Sequence, residues 1–133
     1  MKTTLFAAAL ATGILAAASA GAMAGECSNA SLKGHYTYWL QGVDSAGKPF
    51  AEVGQEHFDG AGNIATKSNA AGSATMTEDK GTYTVNADCS GTSTYASGGS
   101  YNIFVAPSGD SFVFSSSKEG VIQAGENTRV DQD

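Results

Sequence analysis

Glu56 is the residue with the most chemistry to offer. It stands in the run Phe50-Ala51-Glu52-Val53-Gly54-Gln55-Glu56-His57-Phe58. A strand repeats its faces every two residues, so Glu56 shares a face with Phe50, Glu52, Gly54 and Phe58. If the two phenylalanines point into a core, so does Glu56. Burial penalises the charged form of a carboxyl, which then holds its proton more tightly. Such a group can act as a general acid or base, or receive a polar group of a ligand. Two plainer readings stand beside this one. A bulge at Gly54 would turn Glu56 to solvent, or a tyrosine hydroxyl could satisfy the carboxyl with no ligand present. Glu52 lies four residues away on the same face, about 13 Å along a strand. That is too far for a shared-proton dyad and beyond the roughly 5–9.5 Å of glycosidase carboxyl pairs. Glu52 is therefore expected at a rim.

The other chemistry-bearing residues point less far. His35 and His57 are the only histidines. Each takes the face opposite the large apolar residues of its strand. If those strands pair, the two rings stand near one another outside the core. Two histidines and a carboxylate make a minimal metal site, but an outer face favours solvated side chains, and no metal is assigned. Asp59-Gly60-Ala61-Gly62-Asn63 has the look of a calcium loop. It lacks the remaining ligands and the position-12 glutamate of an EF-hand, and a hairpin turn explains it. No nucleophile elbow or Ser/His/Asp pattern is present, and nothing implies a cofactor.

Residues 1–24 combine a basic start at Lys2, an apolar run from Leu5 to Ala18 and the small-x-small end Ala22-Met23-Ala24. That is the pattern of a secretory signal peptide cut before Gly25, leaving a single domain over 25–133 that is secreted or periplasmic. Both cysteines, Cys27 and Cys89, fall in the exported part, where an oxidising compartment predicts one disulfide between them. Without Lys2, six basic residues face 13 acidic ones. Such a chain is repelled by nucleic acid and by anionic membrane surfaces, so neither is an expected partner after signal cleavage.

These residues must be positioned by strands. Only two leucines, Leu32 and Leu40, occur beyond residue 24, while Val, Ile, Phe, Tyr and Thr dominate among residues with a structural preference. Leu32 to Gly42 alternates strictly, and Phe50 to Asp59 follows after a turn. Asp59 to Asn63 reads as a hairpin turn. Ile64 to Thr77 reads as a weak strand, bent at Ala71-Gly72, with Glu78 to Gly81 turning the chain. Thr82–Ala87, Ser90–Ala96, Tyr101–Ala106, Ser111–Lys118 and Val121–Val130 complete about eight strands, with all connections but one short. Eight antiparallel strands joined in order predict an all-β, up-and-down barrel, with a small sandwich as the alternative. In the barrel, Tyr36, Tyr38, Phe50, Glu56, Phe58, Tyr83, Phe112 and Phe114 are expected to line the interior. Trp39 would face outward, where it could belong to a homo-oligomer interface.

Gly34-x-Tyr36, Phe58-Asp59-Gly60-x-Gly62-Asn63 and Gly81-x-Tyr83-x-Val85-x-x-Asp88-Cys89-x-Gly91 occur in that order after the leader. The pattern resembles small secreted bacterial proteins with an allene-oxide-cyclase-like barrel, a relative of the calycin and dirigent barrels. The resemblance covers most of residues 30–130 and rests on turn and strand punctuation. It implies an eight-stranded antiparallel barrel of a kind whose interior can either be filled by side chains or hold a small apolar ligand, and it carries over no catalytic motif. The leading expectation is non-covalent binding of a small, largely apolar molecule. A cyclase- or isomerase-type enzyme with Glu56 as acid or base is the second. A ligand-free structural or surface-interaction protein is the third.

Overall fold

A computed structural model describes residues 26–131; the leader expected over 1–24 lies outside the described residues. A short 3-10 turn, Asn29–Ser31, precedes eight strands: β1 (Lys33–Val43), β2 (Pro49–Asp59), β3 (Asn63–Ala70), β4 (Thr77–Val85), β5 (Ser90–Tyr95), β6 (Ser100–Val105), β7 (Ser111–Ser116) and β8 (Ile122–Asp131). Each strand pairs antiparallel with the next, and β8 closes on β1. The chain is thus an up-and-down barrel rather than a sandwich. Closure leaves no edge strand to pair with other chains. Every connection between strands is a short hairpin.

The expected turn at Glu78–Gly81 is not there. These residues belong to β4 and pair with Lys67, Thr66, Ala65 and Ile64 of β3. The reversal comes earlier, over residues 71–76. Asn69 Nδ2 donates to the Ser73 and Thr75 carbonyls, and the Ser73 amide donates to the Ala70 carbonyl. Charged residues suit β4 because Glu78 faces outward opposite Lys67, a favourable cross-strand pair. By contrast, the Asp59 turn is as expected. The Asp59 carboxylate accepts from the Asn63 side chain (2.6 Å) and from the Asn63 and Ala61 amides (3.0 and 2.7 Å). These bonds, the Asn63 side chain first, lower its pKa to about 2.

Inside the barrel, large side chains sit opposite glycines on the neighbouring strand. Phe58 pairs with Gly34, Tyr38 with Gly54, Tyr95 with Gly81, Ile103 with Gly91 and Phe114 with Gly125. The glycines give the rings somewhere to lie. A Cβ on Gly54 would meet Tyr38 Cε1 at 2.6 Å, and one on Gly125 would meet Phe114 Cζ at 2.6 Å. Five large residues therefore fit into a barrel of only eight strands.

The two ends of the barrel differ. One carries the β2–β3, β4–β5 and β6–β7 hairpins and is covered by the N-terminal segment. There Cys27 is bonded to Cys89, with Cα atoms 5.0 Å apart. Leu32 is fully buried, and the Tyr83 hydroxyl donates to the Asn29 and Leu32 carbonyls at 2.9 and 2.8 Å. Arg129 binds the same segment through the Ser31 carbonyl (3.0 Å) and also reaches the Tyr36 hydroxyl (3.0 Å) and Asp110 (3.3 Å). Tyr36 in turn donates to the Gly109 carbonyl at 2.6 Å. Gly109 is required here: its φ is +74°, and a Cβ would lie 2.1 Å from the Ser31 carbonyl oxygen. The opposite end carries the β1–β2, β3–β4, β5–β6 and β7–β8 hairpins and no such cover among the described residues.

Candidate functional site

A cavity of about 330 Å³ occupies the half of the barrel away from the N-terminal cover. Strand alternation places its residues. Tyr38 and Leu40 come from β1, Glu52 and Glu56 from β2, and Thr66 and Ser68 from β3. Ser93 and Tyr95 come from β5, Tyr101 from β6, Phe112 and Phe114 from β7, and Asn127 from β8. Thr77, Glu78 and Asp79 at the start of β4, with Ser97 and Gly99 of the β5–β6 hairpin, form the mouth. The space exists because the inward positions of β3 shrink from Ile64 at the closed end to Thr66 and Ser68, and β5 carries Ser93 at the level of the cavity.

Glu56 lies inside, 3 % exposed. No bulge interrupts β2 at Gly54, since the register with both neighbours runs unbroken from Glu52 to Phe58. The plain strand reading therefore holds, and a tyrosine satisfies the carboxyl as well. The Tyr95 hydroxyl donates to Oε1 at 2.6 Å, and the Thr66 hydroxyl donates to the same atom at 3.1 Å. Asn127 Nδ2 donates to Oε2 at 3.0 Å. Burial pushes the Glu56 pKa up, the three donors pull it down, and the nearby Glu52 raises it again; the net direction is upward. Burial also raises the Tyr95 hydroxyl well above its ordinary value, with the Glu56 charge adding to the effect.

Glu52 sits toward the rim, as its spacing predicts, and accepts the Tyr38 hydroxyl at 2.6 Å. Burial, then this bond, raises the Tyr38 pKa. At the mouth, burial works against ionisation of Asp79. Hydrogen bonds from Ser97 and the Lys80 amide outweigh it and hold the pKa low. Asn127 is 2 % exposed, and its Oδ1 is buried without a hydrogen-bond partner.

Of the residues expected to line the interior, Tyr38, Glu56, Phe112 and Phe114 wall the cavity. Tyr36, Phe58 and Tyr83 do not. They fill the closed end as edge-on rings, with centroids 5.1 Å apart for Tyr36–Phe58 and for Phe58–Tyr83. Phe112 joins both groups, packing on Phe58 at 5.5 Å. Phe50 lies outside the cavity, against the core edge beside Gly42, in a separate shallow depression with Trp39 and Ile122. Tyr95, Tyr101, Asn127, Thr66, Ser68 and Ser93 were missed by the sequence reading. The signal was present in the alternations Gly91-x-Ser93-x-Tyr95 and Gly125-x-Asn127-x-Arg129.

The two histidines stand on the outer face, as the strand alternation predicts. His35 and His57 are register partners on β1 and β2, with ring centroids 4.6 Å apart. No group of three or more His, Cys, Asp or Glu able to hold a metal occurs among the described residues. Trp39 is exposed. No helix among the described residues is long and apolar enough to cross a membrane. Comparison of the chain with protein-family models, with curated proteins and with solved structures finds no match.

Proposed function

We propose that this chain is an exported protein that binds a small molecule non-covalently inside its barrel. The observation that carries the reading is the cavity. It is enclosed by aromatic rings, floored by a hydrogen-bonded carboxyl and open at one end. Ligand sites are typically mostly apolar clefts of about 300–1,000 Å³ with a few placed polar groups. This one falls at the small end of that range. Support for export comes from the pattern of residues 1–24 and from the Cys27–Cys89 disulfide. The likeness of the turn motifs to allene-oxide-cyclase-like barrels agrees with the same reading. The polar floor shifts the expected ligand from largely apolar to amphipathic, with a compact apolar body and at least one polar group.

A second reading, an isomerase-type enzyme, is favoured by the raised pKa of buried Glu56. Against it, both carboxyl oxygens already accept hydrogen bonds from fixed donors. A carboxylate held this way is a better anchor than a base, because each donor stabilises the charge that proton abstraction must consume.

Native mass spectrometry of the protein exported from its own host tests the proposal. The expected result is an adduct of a few hundred daltons that is lost on activation. Chromatography of the released compound against the compound returned to fresh protein separates the readings: an unchanged compound supports binding, and an isomer supports the enzyme. A bare protein mass, together with no small molecule taken up by the purified protein, overturns both.

A further inference from the structure

The cavity is lined by groups of one electrostatic sign. Glu52 and Glu56 project from β2 and Asp79 stands at the mouth, while the exposed Glu78 on the lip is paired across the strands with Lys67. Among the described residues that line it, none is Lys, Arg or His. Hydrogen bonds keep Asp79 ionised. An anionic ligand would meet the Glu52, Glu56 and Asp79 carboxylates with no basic side chain on the cavity wall to offset them.

Two further observations point the same way. Asn127 keeps a buried carbonyl oxygen with no donor, beside a carboxyl that is itself an acceptor. The walls are rings: Tyr101 and Phe114 meet edge to face at 5.3 Å, as do Tyr95 and Tyr101 at 5.9 Å. Ring faces carry partial negative charge and attract cations, most strongly where water is excluded. The acceptors, the acids and the ring faces therefore all suit a ligand that donates hydrogen bonds and carries positive charge. The volume sets its size, at roughly twice the ~150 Å³ apolar cavity that takes one benzene.

We propose that the cavity takes a small organic cation, an amine or quaternary ammonium carried on a compact aromatic or alicyclic body. The proposal rests on the binding function above and names its ligand class. The charged head lies between Glu56 and Glu52, and the body packs on Leu40, Phe112 and Phe114. The acidic excess of the whole chain, 13 Asp and Glu against seven Lys and Arg, assists by raising the local concentration of cations, an effect that weakens with salt.

Calorimetric titration of the mature protein with four probes of similar size tests this: benzyltrimethylammonium, benzylamine, benzyl alcohol and benzoate. The expected order has both cations binding at least tenfold more tightly than the alcohol, with benzoate undetected. Glu56→Gln should weaken the cations about ten- to a hundredfold and leave the alcohol unchanged. Glu52→Gln, at a less buried position, should weaken them less and provides a second variant if the first fails to fold. Alcohol or benzoate binding as tightly as the cations overturns the cation assignment and leaves the binding function standing. If no probe binds, the adduct from the native host decides. A cationic adduct supports the assignment. A neutral or anionic one overturns it alone, and a bare mass overturns both it and the binding function.

Discussion

The two ends of the barrel use the same eight strands and the same alternation, yet one is solid and the other hollow. Moving two residues along β2 replaces Phe58 with Glu56, and moving two along β3 replaces Ile64 with Thr66 and then Ser68. At the closed end Tyr36, Phe58, Tyr83 and Phe112 pack edge to face, and a disulfide and the Arg129 network tie the N-terminal segment over them. At the open end rings wall the space but Glu56, Thr66, Ser68 and Ser93 stand where bulk would be needed to fill it, and the Glu56 carboxyl is hydrogen-bonded by Tyr95, Thr66 and Asn127. Closing a sheet into a small barrel does not by itself decide whether the interior is filled. Here side-chain size at about four inward positions decides it. The closed half holds the packed rings, the disulfide and the Arg129 network, which leaves the other half to carry a preorganised polar site.

That contrast breaks first at Phe58. Truncation by Phe58→Ala leaves a hole bounded by three rings, and large-to-small core changes of this kind cost about 3–5 kcal/mol. Thermal unfolding should fall by roughly 15 °C or more, given about 4–8 °C per kcal/mol for domains near this size. Probe affinity of the folded fraction should stay within a few-fold. A loss under about 1 kcal/mol would mean that the closed end is not where stability resides. The disulfide comes next. Cys27 and Cys89 are 62 residues apart, and freeing that loop costs about 4 kcal/mol in the chain-entropy model, with measured values typically about 2–4. Urea unfolding of the Cys27→Ser, Cys89→Ser double variant reads this directly, and an unchanged midpoint would remove the disulfide from the account.

The open end should respond oppositely. Ser93→Leu adds apolar volume where there is space. The same enlargement in a packed core costs about 1–3 kcal/mol. Here stability should change by less than about 1 kcal/mol, while uptake of benzyltrimethylammonium should disappear. A loss as large as that of an overpacked core would show that this half is as tightly filled as the other.

Much of this was legible in the chain. Strict alternation from Leu32 to Gly42 and from Phe50 to Asp59 is enough to give the barrel strands and to send Glu56 inward and the histidines outward. The cysteine pair followed from the expectation of an oxidising compartment. What was not legible has a common cause. Tyr95 and Asn127 meet Glu56 from 39 and 71 residues away, and which residues share a level in a barrel depends on strand stagger, which no local pattern reports. For the same reason, Tyr36 and Tyr38 looked alike in sequence. One reinforces the plug and the other walls the cavity. The β3–β4 turn was misplaced because Glu78-Asp79-Lys80-Gly81 has a turn's composition. Only its register against β3 shows a strand.

The smallest expected effect is the most diagnostic of the open end. Burial raises the Glu56 pKa in the folded protein above its ordinary 4.5. Below about 4.5 the carboxyl is neutral both folded and unfolded, and its contribution to stability is fully present. As pH rises, the unfolded chain gains by ionising first. Stability is then lost until pH passes the raised folded value, and it levels off beyond that. The titratable groups facing Glu56 are Glu52 on its own strand, Tyr38 on β1, Tyr95 on β5 and Tyr101 on β6. The three tyrosines remain neutral through this window, since their pKa values are all raised from an ordinary value of 10.0. Asp59 contributes with the opposite sign but at lower pH, its stability being lost only as pH falls toward about 2. Glu56→Gln keeps an acceptor for Tyr95 and presents a donor to Asn127, whose amide can turn to offer the Oδ1 that now lacks a partner. The variant should therefore fold, and the wild-type decline in stability above about pH 4.5 should flatten in it. Chemical denaturation of both proteins from pH 4 to pH 8 measures the difference, in which Asp59 and other common groups cancel. Parallel curves would mean that Glu56 ionises in the folded protein as readily as in water, and the buried, hydrogen-bonded floor of the cavity would have to be given up.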